Sequence, residues 1–183
     1  MARDELFAQI LDQVYDGENV MCCFPRNAGK THLIVELLER PLQDSNVLLL
    51  VSNRILGKEI IKRCNKKIEI GTYSDAGLVG FRGRTDIDCV IFEDPGPWTK
   101  PDVFNQAIDL VKAWRCQVIL AFTPFVYDAH NPHPLKVLWD TAPYYKYQMT
   151  PSGLDWYEDI LVDRDHYTND DFQSEIEGNW VAR

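Results

Sequence analysis

Residues 24–31 read FPRNAGKT, and this stretch constrains the fold more than any other part of the chain. It follows a short apolar run at residues 19–24, NVMCCF, and leads into residues 31–40, where leucine and isoleucine recur at helical spacing. A strand, a loop ending in Gly-Lys-Thr and a helix, in that order, form the phosphate-binding loop with the pattern G-x-x-x-x-G-K-S/T. The sequence therefore predicts a strand–loop–helix unit that binds nucleotide phosphates, with an ordinary strand-to-helix turn as the alternative.

The positions of this loop have distinct chemical roles in that motif. Gly29 permits a close approach of the backbone to a phosphate, Lys30 places a positive charge on the β- and γ-phosphate oxygens, and Thr31 supplies a hydroxyl ligand for Mg²⁺. Phe24 stands where the motif has its first glycine. We expect ATP and Mg²⁺ as the ligands. The predicted binding residues are Pro25, Arg26, Asn27, Ala28, Gly29, Lys30 and Thr31.

A second apolar run ends in two acidic residues, which ATP hydrolysis would require. Glu93 and Asp94 close the sequence CVIFED at residues 89–94. In P-loop ATPases one carboxylate of this kind belongs to the Mg²⁺ shell, and another residue orients the attacking water. We predict that Glu93 lies in the Mg²⁺ shell and that Asp94 acts on the water. The usual order is Asp followed by Glu, so hydrolysis is either supported by a compensating backbone or slow. The alternative interpretation of the motif is a strand that simply ends in solvated acids.

Two further residues are predicted to be catalytic. Thr123 follows the apolar run at residues 117–122, and ligand groups lie at the carboxyl ends of strands in open parallel sheets. Its hydroxyl could therefore sense the γ-phosphate, although a plain strand-ending turn would look the same. Arg26 lies inside the phosphate loop, where its planar guanidinium can clamp oxygens or point to solvent.

Helical and strand-like segments alternate along the rest of the chain. Helical periodicity occurs at residues 4–14, 31–40, 53–64 and 101–113, and strand-like runs occur at 19–24, 46–52, 67–71, 88–92 and 117–122. Continuous apolar runs are typical of strands buried on both faces of a parallel sheet. The prediction is an α/β fold of the P-loop NTPase type, with a mostly parallel central sheet flanked by helices.

The length and the charge distribution predict how the chain is organised and which classes of protein it can belong to. The 183 residues fit about one domain, which we place at residues 1–150 as the ATPase core, followed at 151–183 by an acidic C-terminal lid or tail. Since no apolar run is long enough to cross a membrane and no signal peptide begins the chain, we expect a soluble intracellular protein without a membrane partner. The net charge of −9 argues against a protein that coats nucleic acid over its whole surface. A basic cluster at residues 58–67 is either a DNA contact or a solvated helix face.

These motifs together resemble the ATPase domain of viral large terminase subunits, the DNA-packaging motors of tailed phages. The resemblance covers residues 5–125 and is carried by Arg26 three residues before Gly29, SNR at 52–54, FRGR at 81–84, VIFED at 90–94 and AFTPF at 121–125. FQSEIEGNW at 172–180 resembles the segment that closes that domain. The resemblance implies an ASCE-type, RecA-like P-loop fold, with Arg26 as the cis arginine on the γ-phosphate and Thr123 in the coupling motif.

The same resemblance implies an ATP-hydrolysing motor that drives double-stranded DNA into a viral capsid. Such a motor would work as a homo-oligomeric ring on a viral portal, in the cytoplasm of the infected host cell, with a separate nuclease or small terminase subunit as a further partner. A neighbouring subunit could supply an arginine, for which Arg54, Arg82 and Arg84 are candidates. Because no room remains for the nuclease domain expected downstream, we expect an excised ATPase domain or a separately encoded motor subunit. The first motor domain of a superfamily 2 helicase or translocase, and a nucleotide-binding subunit that does not hydrolyse, are the alternatives.

Overall fold

A six-stranded parallel sheet forms the centre of the molecule. The computed structural model describes residues 3–64, 66–151, 154, 157 and 164–183. In chain order the strands are β1 (Val20–Cys23), β2 (Val47–Val51), β3 (Glu69–Thr72), β4 (Cys89–Glu93), β5 (Gln117–Phe122), β6 (Val126–Tyr127), β7 (Tyr145–Gln148) and β8 (Val181–Ala182). The central sheet has the order β3-β2-β4-β5-β1-β7, and all its neighbouring strands are parallel. The predicted mostly parallel sheet is confirmed.

Helices cover both faces of this sheet. The helices are α1 (Arg3–Tyr15), α2 (Lys30–Glu39), α3 (Arg54–Arg63), α4 (Asp75–Val79), α5 (Pro101–Trp114) and α6 (Pro134–Thr141). Apolar side chains of α1, α2 and α3 share one hydrophobic core with alternate residues of the sheet, and those of α4, α5 and α6 share the other. In β1, for example, Cys22 belongs to the first core and Cys23 to the second. The fold is a three-layer α/β arrangement in which the inner strands are buried on both faces.

The strand order determines where a ligand can bind. Strand β5 lies between β1, which leads into the phosphate loop, and β4, which ends in the acidic pair. The register aligns Cys23 with Phe122 and Glu93 with Ala121, so these three strands end at the same edge of the sheet. Ligands of open parallel sheets bind at this carboxyl edge.

The C-terminal segment packs against the same edge. It contains a 3₁₀ turn (Arg164–His166), a short α-helical turn (Asn169–Asp171) and a π-helical turn (Phe172–Ile176) before β8, which pairs in parallel with β6. The Trp180 ring lies 5.8 Å from that of Phe122 and 4.9 Å from that of Phe125. Its aromatic contacts therefore fix the end of the chain next to the segment that follows β5.

Several of the acidic residues counted in the predicted lid or tail, namely Asp155, Glu158, Asp159 and Asp163, lie outside the described residues. The boundary at residue 150 stays a prediction. None of the helices in the described ranges combines the length and the apolar character that crossing a membrane would need.

Candidate nucleotide-binding site

The predicted phosphate loop connects β1 to α2. Gly29 is the N-cap residue of α2 and has a φ of 93°, in the left-handed region that glycine adopts without strain. No side chain among the described residues caps this helix, so the first N–H groups of α2 have neither an intrahelical acceptor nor a side-chain cap. A helix start with unsatisfied N–H groups and the positive end of the helix dipole suits a phosphate.

Phe24, which stands where the motif has its first glycine, is a core residue in this structure. Its side chain is fully buried, and its ring stacks on that of Phe7 with 6.0 Å between centroids and 9° between planes. Its backbone N–H donates to the carbonyl of Phe122 at 2.9 Å, which continues the pairing of β1 with β5. Phe24 therefore belongs to the hydrophobic core, and the loop itself begins at Pro25.

Lys30 joins the phosphate loop to the end of β5. Its ammonium Nζ donates to Oγ1 of Thr123 at 2.6 Å and to the carbonyl of Pro25 at 3.2 Å. Burial lowers the pKa of Lys30, while the nearby carboxylates of Asp94 and Glu93 act in the opposite direction. The lysine lies where its charge is only partly screened by water, so an anion brought near it would be held strongly.

Glu93 is a buried carboxylate at the end of β4. The residue is 4% exposed, and its Oε2 atom has no hydrogen-bond partner in the described part of the chain. Burial raises the pKa of Glu93 to about 7, and the charge of Asp94 adds to the rise while Lys30 opposes it. A buried carboxylate oxygen without a partner is costly, and a cation would satisfy it. Its hard oxygen, with the half-buried Thr31 at the start of α2, fits the donor preference of Mg²⁺.

Asp94 is held in a defined orientation by Thr123. Its Oδ1 atom accepts a hydrogen bond from the backbone N–H of Thr123 at 2.8 Å, and its own N–H donates to the carbonyl of Ala121 at 2.8 Å. The φ of Asp94 is 42°, a left-handed value that is uncommon outside glycine and that recurs at functional sites. Thr123 thus contacts both Lys30 and Asp94, so three of the predicted site residues form one hydrogen-bonded chain.

Arg26 has a partner that the sequence analysis missed. Its guanidinium Nη2 lies 3.1 Å from a carboxylate oxygen of Glu175, and its backbone N–H donates to the carbonyl of Glu175 at 2.7 Å. A small cavity of about 50 Å³ is lined by Arg26, Asp94, Thr123 and Glu175, among other residues. Glu175 lies within the FQSEIEGNW motif, yet nothing in that motif alone indicates contact with the phosphate loop.

Tyr73 is a second residue that the sequence analysis missed. The single proton of its hydroxyl is shared between the backbone carbonyls of Leu50, at 3.1 Å, and Glu93, at 2.9 Å. Burial, together with the charges of Glu93 and Asp94, raises the pKa of Tyr73 well above its ordinary value, so the phenol stays protonated. The hydroxyl ties the end of β2 to the end of β4 and supports the backbone that carries Glu93.

Three basic residues that the sequence offered for other roles, namely Arg82 and Arg84 for a neighbouring site and Lys66 for DNA, have partners within the chain. Arg84 forms a two-pronged ion pair with Glu69, at 2.7 and 2.8 Å, and Arg82 donates to the side chain of Gln106. Lys66, in the basic cluster, donates to backbone carbonyls of Leu42 and Ser45. The ammonium of Lys66 therefore stabilises the turn after α2.

Comparison with solved structures places the fold among phage large terminases. The chain superposes on the large terminase of a thermophilic bacteriophage with a TM-score of 0.67 and 14% identity, covering 97% of this chain and 53% of that one. It superposes on a mutant of the ATPase domain of the Thermus phage P74-26 large terminase with a TM-score of 0.64 and 13% identity, covering 97% of both chains.

The comparisons confirm the predicted P-loop NTPase fold and the resemblance to terminase ATPase domains at the level of the fold. This chain spans about half the length of the first of these two terminases. No protein-family model and no curated protein matches the sequence.

Proposed function

We propose that this chain is an ATP-hydrolysing motor domain that drives translocation of double-stranded DNA into a viral capsid. The observation that carries the proposal is the hydrogen-bonded chain Lys30–Thr123–Asp94, which joins the phosphate loop, the end of β5 and the acidic strand beside the buried carboxylate of Glu93. The likeness to two terminase folds supports the choice of motor class.

In this proposal the phosphate loop binds the nucleotide. The N–H groups at the start of α2 and the Lys30 ammonium bind the phosphate oxygens, and Lys30 exchanges its bond to Thr123 for one to the γ-phosphate. Arg26 approaches the same phosphate from the loop. Its planar guanidinium suits the two oxygens of a phosphoryl group better than a lysine would.

Glu93 and Asp94 have different roles in this proposal. Glu93 and Thr31 would hold Mg²⁺, which when bound neutralises charge on the phosphate oxygens. Asp94 would orient the attacking water, and the N–H of Thr123 keeps its carboxylate in place. Because Thr123 contacts both Lys30 and Asp94, a change at either residue would reach the segment that follows β5, in line with a coupling role for Thr123.

The proposed working form is a homo-oligomeric ring on a viral portal, in the cytoplasm of the infected host cell. Double-stranded DNA is the proposed substrate, with a nuclease or small terminase subunit as a separate partner. Arg54 is the best placed of the three candidate arginines for a neighbouring site, because it is exposed at the start of α3, just after the carboxyl end of β2. Arg82 and Arg84 already have partners within the subunit.

The test is phosphate release from ATP with Mg²⁺, over a wide range of protein concentration, with double-stranded DNA or single-stranded DNA. An assembling packaging motor should show turnover that rises faster than protein concentration and is stimulated by the duplex. Stronger stimulation by single strands would favour the helicase alternative. Tight ATP binding without any release would favour the subunit that does not hydrolyse.

A further inference from the structure

The contact between Arg26 and Glu175 links the phosphate loop to the C-terminal segment twice. One bond runs from the Arg26 backbone N–H to the Glu175 carbonyl, and the other joins the two charged side chains. The flanking residues Ser174 and Ile176 are buried, so the backbone of Glu175 is fixed by packing on both sides. Glu175 also lies in a π-helical turn, a geometry that is rare in proteins as a whole but is often found at functional sites.

The C-terminal segment also packs tightly against the loop at a second point. Gly178 has a φ of 75°, and a Cβ atom built there would lie 3.0 Å from the carbonyl oxygen of Met149 and 3.3 Å from Cδ of Pro25. The carbonyl of Gly178 accepts a hydrogen bond from the side chain of Gln148 at 2.9 Å. The position of Glu175 relative to Arg26 is therefore held by the surrounding chain rather than by the ion pair alone.

The carboxylate of Glu175 lies beside the Arg26 guanidinium, with 3.1 Å between Nη2 and the nearer carboxylate oxygen. Both residues line the same small cavity, together with Asp94 and Thr123. A carboxylate and a phosphate cannot both lie close to one guanidinium without repelling each other. A γ-phosphate that reaches Arg26 therefore competes with the Glu175 carboxylate for the guanidinium.

ADP, which has no γ-phosphate, would not compete with Glu175 for Arg26. On the proposed function, the start of α2 and Lys30 bind the β-phosphate of either nucleotide, and only a γ-phosphate extends to Arg26 and Asp94. The Arg26–Glu175 pair therefore opposes ATP more than ADP.

We propose that Glu175 is a specificity-determining residue that sets how strongly the site distinguishes ATP from ADP, by competing with the γ-phosphate for Arg26. This inference rests on the proposed nucleotide site. When the γ-phosphate takes the place of the Glu175 carboxylate at Arg26, one of the two links between the phosphate loop and the C-terminal segment is lost, and the backbone hydrogen bond remains.

The test compares the affinities of the full chain for ADP and for the non-hydrolysable analogue AMP-PNP, both with Mg²⁺, by calorimetry. Glu175→Gln removes the charge and keeps the shape. It should tighten AMP-PNP binding about two- to fivefold, the range of a partly exposed ion pair, and leave ADP binding unchanged. Glu177→Gln is the matched control, because it makes the same charge change on the same segment in a residue that does not line the cavity and instead accepts a hydrogen bond from Tyr157.

A second measurement needs no substitution. Hydrogen exchange of peptides from residues 172–180 of the wild-type chain should be faster with AMP-PNP than with ADP, because only AMP-PNP replaces the side-chain link between Glu175 and Arg26 and leaves the segment with the backbone link alone. Equal exchange with the two nucleotides, an equal change of both affinities in Glu175→Gln, or weaker AMP-PNP binding in that variant would overturn the proposal while leaving the nucleotide site intact. If the wild-type chain bound neither nucleotide, the ATPase proposal would fail, and the discrimination with it.

Discussion

The buried carboxylate of Glu93 should make the fold less stable as the pH rises. Its pKa is raised from the ordinary 4.5 to about 7, so the folded state binds this proton more tightly than the unfolded state does. The stabilisation is therefore fully present below about pH 4.5 and is lost as the pH rises through about 7. The two values correspond to a total loss of about 3 kcal/mol.

The assay is urea unfolding of the wild type and of Glu93→Gln across a range of pH. The range should begin near pH 5.5, because the sequence pI is about 4.9 and proteins precipitate most readily near zero net charge. Between about pH 5.5 and pH 8 the wild type should lose about 2 kcal/mol of unfolding free energy relative to Glu93→Gln.

Glu69→Gln is the control for this experiment. The hydrogen bond from Arg84 lowers the pKa of Glu69, so its titration lies below the chosen range and its difference from wild type should stay constant. If the difference in unfolding free energy between wild type and Glu93→Gln is just as independent of pH, Glu93 ionises in the folded protein at no cost, and its burial does not raise its pKa.

Three further substitutions probe the rest of the site. Lys30→Ala removes the charge that meets the phosphates and should lower the turnover number for ATP by about 10²–10³-fold in a phosphate-release assay, so a loss below tenfold would count against its role. Asp94→Asn keeps an acceptor for the Thr123 N–H and should lower turnover by about 10²–10⁴-fold. The nucleotide dissociation constant should be unchanged in a fluorescence titration. Unchanged turnover would show that Asp94 does not take part in the chemistry. Phe24→Ala deletes a buried ring stacked on Phe7 and should cost about 3–5 kcal/mol of unfolding free energy in urea, and a negligible cost would show that the position acts as loop rather than core.

The part of the fold that the sequence could predict is the part governed by continuous apolar runs. Strands β1, β2 and β4 are buried at every position, so each run stands out from its neighbours. Strand β7 was missed because it lies at the edge of the sheet and reads YKYQ, with three of its four residues exposed and no continuous apolar run. The short helix α4 and the helix α6 were missed as well, since each presents few apolar residues to the core.

The candidate site also has a part that the sequence could predict and a part that it could not. Glu93 ends β4, Asp94 and Thr123 directly follow β4 and β5, and Lys30 follows β1 after the phosphate loop. Parallel strands bring these ends to one edge of the sheet, so the proximity of the four residues could be expected. Which of them contact each other depends on register and on backbone geometry, such as the left-handed φ of Asp94. The pairing of Arg26 with Glu175 joins residues far apart in the chain, and no local pattern could have indicated it.

Hydrolysis of ATP by the isolated chain is the property that decides whether Lys30, Glu93, Asp94 and Thr123 form an ATPase site. Phosphate release should be measured with Mg²⁺ and with a chelator, in the wild type and in Lys30→Ala, at the highest protein concentration that stays in solution. An ATP-hydrolysing P-loop domain should release phosphate only with Mg²⁺, and Lys30→Ala should lower that release by about 10²–10³-fold. Release that is the same in both proteins, or that continues without Mg²⁺, would contradict this expectation.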